Sequence, residues 1–209
     1  KKGREENTFE YDNDIKVDLS FFNEAGDLYR KIRNTLLFIV SNLNDFEHNA
    51  NFNAIESYIS SIEGHTIDAY IIHQTNLFQA SILDHYKHYR FRDANQAIYD
   101  FCNDTLSSFY CSAVKDRLYC DSAHSKRRIQ TQYTLRYILE CLVRCLSPIL
   151  PHTCDEVMES LLGDNYPTVQ GTQSITPVSL TIHPKWDDVM TTRKHVLKAL
   201  EDAKTQGIE

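Results

Sequence analysis

From Ser20 onward, apolar residues recur at steps of three and four, the spacing that gathers them on one face of an α-helix. Phe22, Ala25, Tyr29, Ile32, Leu36, Ile39, Val40 and Leu43 predict a first helix running to about Leu43, which Ser20 can cap. The polar run Asn42–Asn53 interrupts the pattern. Ile59, Ile62, Ala69, Ile72, Leu77, Ala80, Leu83 and Tyr86 then predict a second long helix over about Glu56 to Tyr89. Gly64 and the β-branched pair Thr66-Ile67 weaken its first part and make that the place for a break. Asp93 and Gln96 have capping-box spacing ahead of a third helix carrying Ala94, Ala97, Ile98, Phe101, Leu106, Phe109 and Ala113.

After a polar hinge at Cys120–Ser125, a fourth helix is predicted from Lys126 to Leu146, with Leu135, Ile138, Leu139, Leu142 and Val143 inward. Pro148 and Pro151 end it. Thr153 and Glu156 form another capping box, opening a short helix through Leu161. Residues 163–184 are rich in Gly, Pro, Thr and Ser, and within them Val178–Ile182 alternates like a lone strand. A last helix is predicted over 187–204, with Val189, Val196, Leu197 and Leu200 on one side. The fold class is therefore all-α: a bundle of four long helices plus shorter C-terminal ones. Residues 1–16 read as an approach segment, 17–162 as the bundle, and 163–209 as a loop and C-terminal helix packed on it.

Charge changes this picture more than composition does. The formal net charge is -7, which argues against a surface coated throughout with basic residues. Yet no Lys or Arg occurs from Asn34 to Leu83, whereas Arg30, Lys31 and Arg33 crowd just ahead of that stretch. Ten basic residues then face seven acids between Asp84 and Arg144. Two basic islands suit a polyanion touching one face, or else ordinary solvated helix faces. No stretch approaches the ~20 apolar residues of a membrane span, so no membrane partner is expected. The opening Lys1-Lys2-Gly3-Arg4 lacks an initiator Met and reads as part of something larger.

Bond-making chemistry finds no foothold. The six glycines never come within six residues of one another, so no phosphate-cradling loop forms. Glu-x-x-His, His-Glu-x-x-His and Gly-x-Ser-x-Gly are absent. Asp121-x-x-His124 lies in the hinge, and Cys141 and Cys145, one helical turn apart, leave zinc as an alternative to buried thiols for the six cysteines. No metal site is expected. What remains is recognition. Arg30, Lys31 and Arg33 share one helix. Lys87, His88, Tyr89, Arg90, Phe91 and Arg92 interleave bases with aromatics at the turn between the second and third helices. Lys115, Arg117, Lys126, Arg127 and Arg128 cluster around the next turn. Guanidinium forks match phosphates and aromatic faces stack on unpaired bases, so nucleic-acid binding and a plain protein-interaction bundle both stand.

Particular wording goes further. Tyr29–Thr35 (YRKIRNT) with the following LLFIVSNLNDF resembles the opening helix of the anticodon-binding domain of isoleucyl-tRNA synthetases. Phe101–Tyr110 followed by Lys115–Tyr119 (KDRLY) is similar to that family's third helix. Arg127-Arg128, Gln130-Thr131 and Ser147–Thr153 (SPILPHT) with Asp155–Val157 continue the series in order, so the resemblance spans nearly the whole chain. The SPILPHT segment is shared with valyl- and leucyl-tRNA synthetases, which leaves their equivalent domain as an alternative.

The resemblance implies a helical domain that holds the anticodon stem-loop of tRNA(Ile). It implies a parent isoleucine–tRNA ligase that uses ATP and Mg, and catalytic and editing domains of the same chain as partners. This stretch carries none of the family's catalytic signatures and no cofactor is expected within it. Lys16 falls on the family's basic position before the first helix, where Lys can hold a phosphate but not make the bidentate fork of Arg. The implied RNA contacts are Lys16, Arg30, Lys31, Arg33, Lys87, Arg90, Arg92, Lys126, Arg127 and Arg128. Asp116-Arg117 is an expected structural ion pair at a helix end, Tyr70 stands where relatives have Trp, and Trp186 is expected to anchor the loop end by packing. The KDRLYC and PILPHT wording, with high Cys and Asn and little Gly, points to the mitochondrial matrix, with a bacterial cytoplasm as the alternative.

Overall fold

The structure, a computed structural model, describes residues 8–11, 15–18, 20–46, 52–163, 168–169 and 177–207. It is an α-helical bundle preceded by a short ribbon. Strands β1 (Thr8–Tyr11) and β2 (Ile15–Asp18) pair antiparallel, Phe9 opposite Val17 and Glu10 opposite Lys16. The expected approach segment is thus hydrogen-bonded structure, and it runs past residue 16. Helix α1 (Ser20–Ser41) then buries Ile32, Leu36, Ile39 and Val40, as its periodicity requires. Phe22 lies outside that stripe, 70% exposed.

The weak point near Gly64 is a true break between α2 (Phe52–Ser60) and α3 (Ile67–Lys87). Thr66 caps α3 by accepting a hydrogen bond from the Ala69 amide. The break resets the helical phase, so the stripe expected to continue through Leu77 and Leu83 does not: both are half-exposed. Ile71, Ile72, Thr75, Phe78, Gln79 and Ile82 face inward instead. Buried polar groups at Thr75 and Gln79 are satisfied, Thr75 donating to the Ile71 carbonyl at 2.8 Å and Gln79 accepting from the Cys141 thiol.

The third helix begins at Phe91 rather than after Asp93, and Arg90 at its cap position makes no side-chain capping bond. It comprises α4 (Phe91–Asp100), a π-helical stretch (Phe101–Cys111) and α5 (Ser112–Tyr119). Ser107, Ser108 and Ser112 each donate to the carbonyl five residues back, following the wider turn. The wider turn shifts the inward face to Phe101, Cys102, Leu106, Tyr110, Cys111, Val114 and Leu118. Phe109 is left half-buried and Ala113 exposed.

Helix α6 (Lys126–Leu146) has the expected bounds and is the axis of the bundle, buried on nearly every side from Thr131 onward. Helix α7 (Pro151–Leu162) opens on Pro at its first position, not on a Thr153 cap. A main core joins α1, α3, the π-helical stretch, α6 and α7. A smaller one gathers Ile55, Ile59, Ile62, Ala69, Ile72, Tyr137, Cys141 and Val178.

The expected strand at Val178–Ile182 does not form, and among the described residues no strand lies beside it to offer a ladder. Side chains bond this backbone instead: Asn76 donates to the Val178 carbonyl at 2.9 Å and the Val178 amide donates to the Tyr137 hydroxyl at 3.2 Å. The His183 amide donates to the Gly64 carbonyl at 2.9 Å. A methyl at Gly64 would stand 2.2 Å from the Thr181 carbonyl oxygen, so the close passage requires glycine there. Helix α8 (Trp186–Thr205) is anchored at its start by Trp186, which stacks on Tyr70 at 4.7 Å. Further along, Arg193 lies over the Phe109 ring at 5.0 Å. The side carrying Val189, Val196, Leu197 and Leu200 faces away from these contacts, and all four residues are exposed.

Candidate nucleic-acid interface

Some of the basic residues singled out by sequence hold acids of the fold and others do not. In α1, Arg30 pairs with Asp27 one turn earlier, and both are exposed. Arg33 makes a two-bond fork to Glu156 of α7, both bonds 2.9 Å. That hydrogen-bonded fork draws the Glu156 carboxyl below its usual range and pushes the Arg33 guanidinium up. Tyr29, alongside, lies 3.2 Å from the Thr153 hydroxyl. Arg33 therefore clamps α1 to α7.

Lys31 points elsewhere. It lines a cleft of about 260 Å³ between α1 and the third helix, with Asn34, Thr35, Ser107, Cys111 and Lys115. Thr35 donates to the Lys31 carbonyl at 2.9 Å and lies 3.2 Å from the Ser107 hydroxyl, so the cleft wall is held in place. Burial pushes the Cys111 thiol up to about 12, and the Lys115 and Lys31 ammoniums act against that rise. Among the described residues neither lysine takes part in an ion pair. Two cations from distant parts of the sequence thus line one cleft of mixed polar and apolar character, together with Phe38 and Cys111.

The cluster around the hinge separates instead of converging. Arg117 turns inward to Asp68, a fully buried carboxylate that accepts from Arg117 at 2.8 Å, from Tyr110 at 2.7 Å and from Gln130 at 2.7 Å. The expected Asp116 pairing is corrected: the partner comes from α3. Burial, with the Asp68 charge beside it, raises the Tyr110 phenol well above its ordinary value. Arg127 forks onto Asp121 at 2.9 and 2.6 Å, and that hydrogen-bonded pairing holds the Asp121 carboxyl below its usual range. Asp121 is thereby committed to the hinge with Ser125 and Arg127. Arg128 bridges to Asp45 after α1 at 2.6 Å and to the Asp121 carbonyl at 3.2 Å. Lys126 is exposed beside a second hollow lined by Tyr58, Glu63, Thr66 and Gln130.

At the α3–α4 turn, Arg90 pairs with Asp84, while Lys87 and Arg92 are exposed. Lys16 sits in β2 opposite Glu10, and its side chain lies outside the described residues. A further buried triad, Arg136–Glu140–Arg144, ties successive turns of α6, with Arg136 and Glu140 2.5 Å apart. Sequence spacing marked Lys115 only as part of the hinge cluster. Its place opposite Lys31 depends on the fold, and no local signal in the sequence carries it.

Among the described residues no group of three or more His, Cys, Asp or Glu side chains converges as a metal site. All six cysteines are free, five buried and Cys120 exposed. Burial drives the Cys141 thiol up and the Cys145 thiol to about 12, which favours the protonated form of both. No described helix is long and apolar enough to cross a membrane.

The fold is a helical bundle in which Lys31 and Lys115 share one cleft, and the chain belongs to the family of anticodon-binding domains of tRNA ligases. The family model described as "Anticodon-binding domain of tRNA ligase" matches residues 68–208. The chain is 35% identical over 205 residues to the isoleucine–tRNA ligase of Bacillus cytotoxicus and 34% identical over 203 residues to that of Bacillus cereus. Those matches cover 95% of this chain and 21% of each relative, so the chain spans about a fifth of the length of the curated relatives it matches.

Proposed function

We propose that this chain holds the anticodon stem-loop of tRNA(Ile) for an isoleucine–tRNA ligase. The carrying observation is the pair Lys31 and Lys115, two uncommitted cations at one cleft in a chain of the anticodon-binding family. Phosphates of the RNA backbone are the anions that fit, with Lys126, Lys87 and Arg92 as further contacts and Lys16 at the ribbon. Arg30, Arg33, Arg90, Arg127 and Arg128 already hold carboxylates that offset part of their charge toward RNA, so they rank second. The parent ligase would use ATP with Mg to activate isoleucine in its catalytic domain, and this stretch contributes tRNA binding. The exposed Val189, Val196, Leu197 and Leu200 on α8 support a contact with the catalytic or editing domain of the same chain. The mitochondrial matrix is the proposed location, and imaging of a tagged full-length protein tests it.

The direct experiment is a gel-shift titration of the chain with isoleucine, valine and leucine tRNAs across salt. Preferred binding of the isoleucine tRNA, with affinity falling steeply as salt rises, is expected. Preference for the valine or leucine tRNA would reassign the parent enzyme. Salt-insensitive association with a protein surface and none with any tRNA would favour the interaction-module reading.

A further inference from the structure

Helix α3 ends in a doubly bonded reversal: the Arg90 amide donates to the His85 carbonyl at 2.9 Å and the Tyr89 amide to the Tyr86 carbonyl at 3.1 Å. The residue between them must take the left-handed conformation, a place that glycine fills most cheaply. Here it is Tyr89, at φ +56°, the sole non-glycine residue with positive φ among those described. A β-carbon in that region is a standing cost to the fold. Burial does not offset it, because Tyr89 is 80% exposed.

The turn around it is rigid. Asp84 accepts from Arg90 and faces the His88 ring at 3.2 Å, tying both flanks of Tyr89 to the last turn of α3. Phe91, itself 52% exposed, sets its ring edge-on to Tyr89 at 6.2 Å. On its other side Phe91 lies 6.2 Å from Tyr86, whose hydroxyl donates to the Cys145 carbonyl of α6 at 2.6 Å. Three rings therefore step from the core to solvent, the innermost pinned and the outermost bare. With Asp84 engaged by Arg90, Lys87 and Arg92 flank the rings against the single acid Asp93.

We infer that this turn is a stacking platform for unpaired RNA bases, with Tyr89 as its outer face and Lys87 and Arg92 meeting the adjoining phosphates. The inference rests on the tRNA reading above and assigns one part of that interface. Aromatic residues and arginine also suit protein interfaces, whereas Lys87 and membership of the anticodon-binding family favour RNA. An aromatic face accepts any base, so the platform supplies grip on single-stranded loop nucleotides without choosing among sequences.

The test exploits the strained position. Tyr89→Gly should leave Tm unchanged or raise it by up to about 4 °C, since it relieves the backbone. The same variant should weaken binding of the anticodon stem-loop hairpin by about 5- to 150-fold, the span of one lost base stack. Binding to a fully paired RNA duplex of equal length should not change, nor should the salt slope, because no charge is removed. Tyr89→Trp should restore hairpin affinity, and Tyr89→Asn, which also tolerates the left-handed region, should behave like the glycine variant. Hairpin affinity within twofold of wild type in Tyr89→Gly would overturn the platform while leaving the tRNA reading intact. Equal loss on hairpin and duplex would overturn stacking as the cause. Failure of the unaltered chain to bind either RNA or whole tRNA at low salt would remove both.

Discussion

Lys115 and Arg117 stand two residues apart on α5, about 200° around the helix, and they end in opposite surroundings. Arg117 reaches a fully buried carboxylate on α3, whereas Lys115 opens onto a cleft with no acid paired to it. Lys31 and Arg33 repeat the contrast on α1, the arginine forked onto Glu156 and the lysine facing the same cleft as Lys115. In these four the planar five-donor fork goes into construction and the flexible point charge is left for a ligand. A basic run in a sequence therefore holds two populations, cations that an acid of the fold engages and cations that none of the described acids engages.

The comparison can be broken most decisively at Arg117. Arg117→Ala strands the Asp68 carboxylate in the core with two neutral donors, and should cost about 3–5 kcal/mol of stability. A denaturant midpoint in that variant close to wild type would mean the buried pair is not structural. Tyr110→Phe removes one hydrogen bond to the same carboxylate and should cost about 1.5–3 kcal/mol by the same measurement. Lys31→Ala and Lys115→Ala should each leave stability within about 0.5 kcal/mol. Each should also lower the log–log salt slope of tRNA binding by slightly under ~1. Slopes identical to wild type in both variants would remove the cleft from the interface. Arg33→Ala sharpens the contrast from the other side: a small loss of thermal stability, with a salt slope that stays nearly constant.

The smallest effect concerns pH. Glu156 and Asp121 have carboxyls depressed by their arginines, so their contribution is complete above the ordinary carboxylate range. It fades as pH falls through their lower folded values. Thermal melts of Glu156→Gln between neutral and strongly acidic pH should show a gentler acid decline than wild type, and the two curves should converge at the acid end.

How far this was legible from the sequence differs by element. Helix α6 could be bounded approximately because a polar hinge and two prolines delimit it, and the break before α3 was marked by Gly64 and β-branched residues. Membership in the anticodon-binding family was also written in local wording. The inward stripe of α3 was missed because a break resets phase, and the π-helical stretch was missed because a three-four periodicity cannot express a wider turn. The pairing of three arginines was invisible because their acids are remote, Arg117 bonding 49 residues away, Arg128 83 and Arg33 123, whereas Arg30, Arg90 and Arg127 pair with acids three to six residues away. The exposure of α8 escaped for a related reason, since an amphipathic pattern declares a face without naming what covers it.

The π-helical stretch between Phe101 and Cys111 carries one more implication, for what changes this molecule can absorb. Each residue of a regular helix turns the chain by about 100°. Removing one residue from the stretch would rotate α5 as a unit, taking Lys115 off the α1 cleft and Arg117 off Asp68 together. Substitution at the exposed Asp104 or Ser108 disturbs neither. The exposed positions of this segment are therefore permissive in spelling while its length is strict, a spacer whose residue count sets the bearing of everything that follows it.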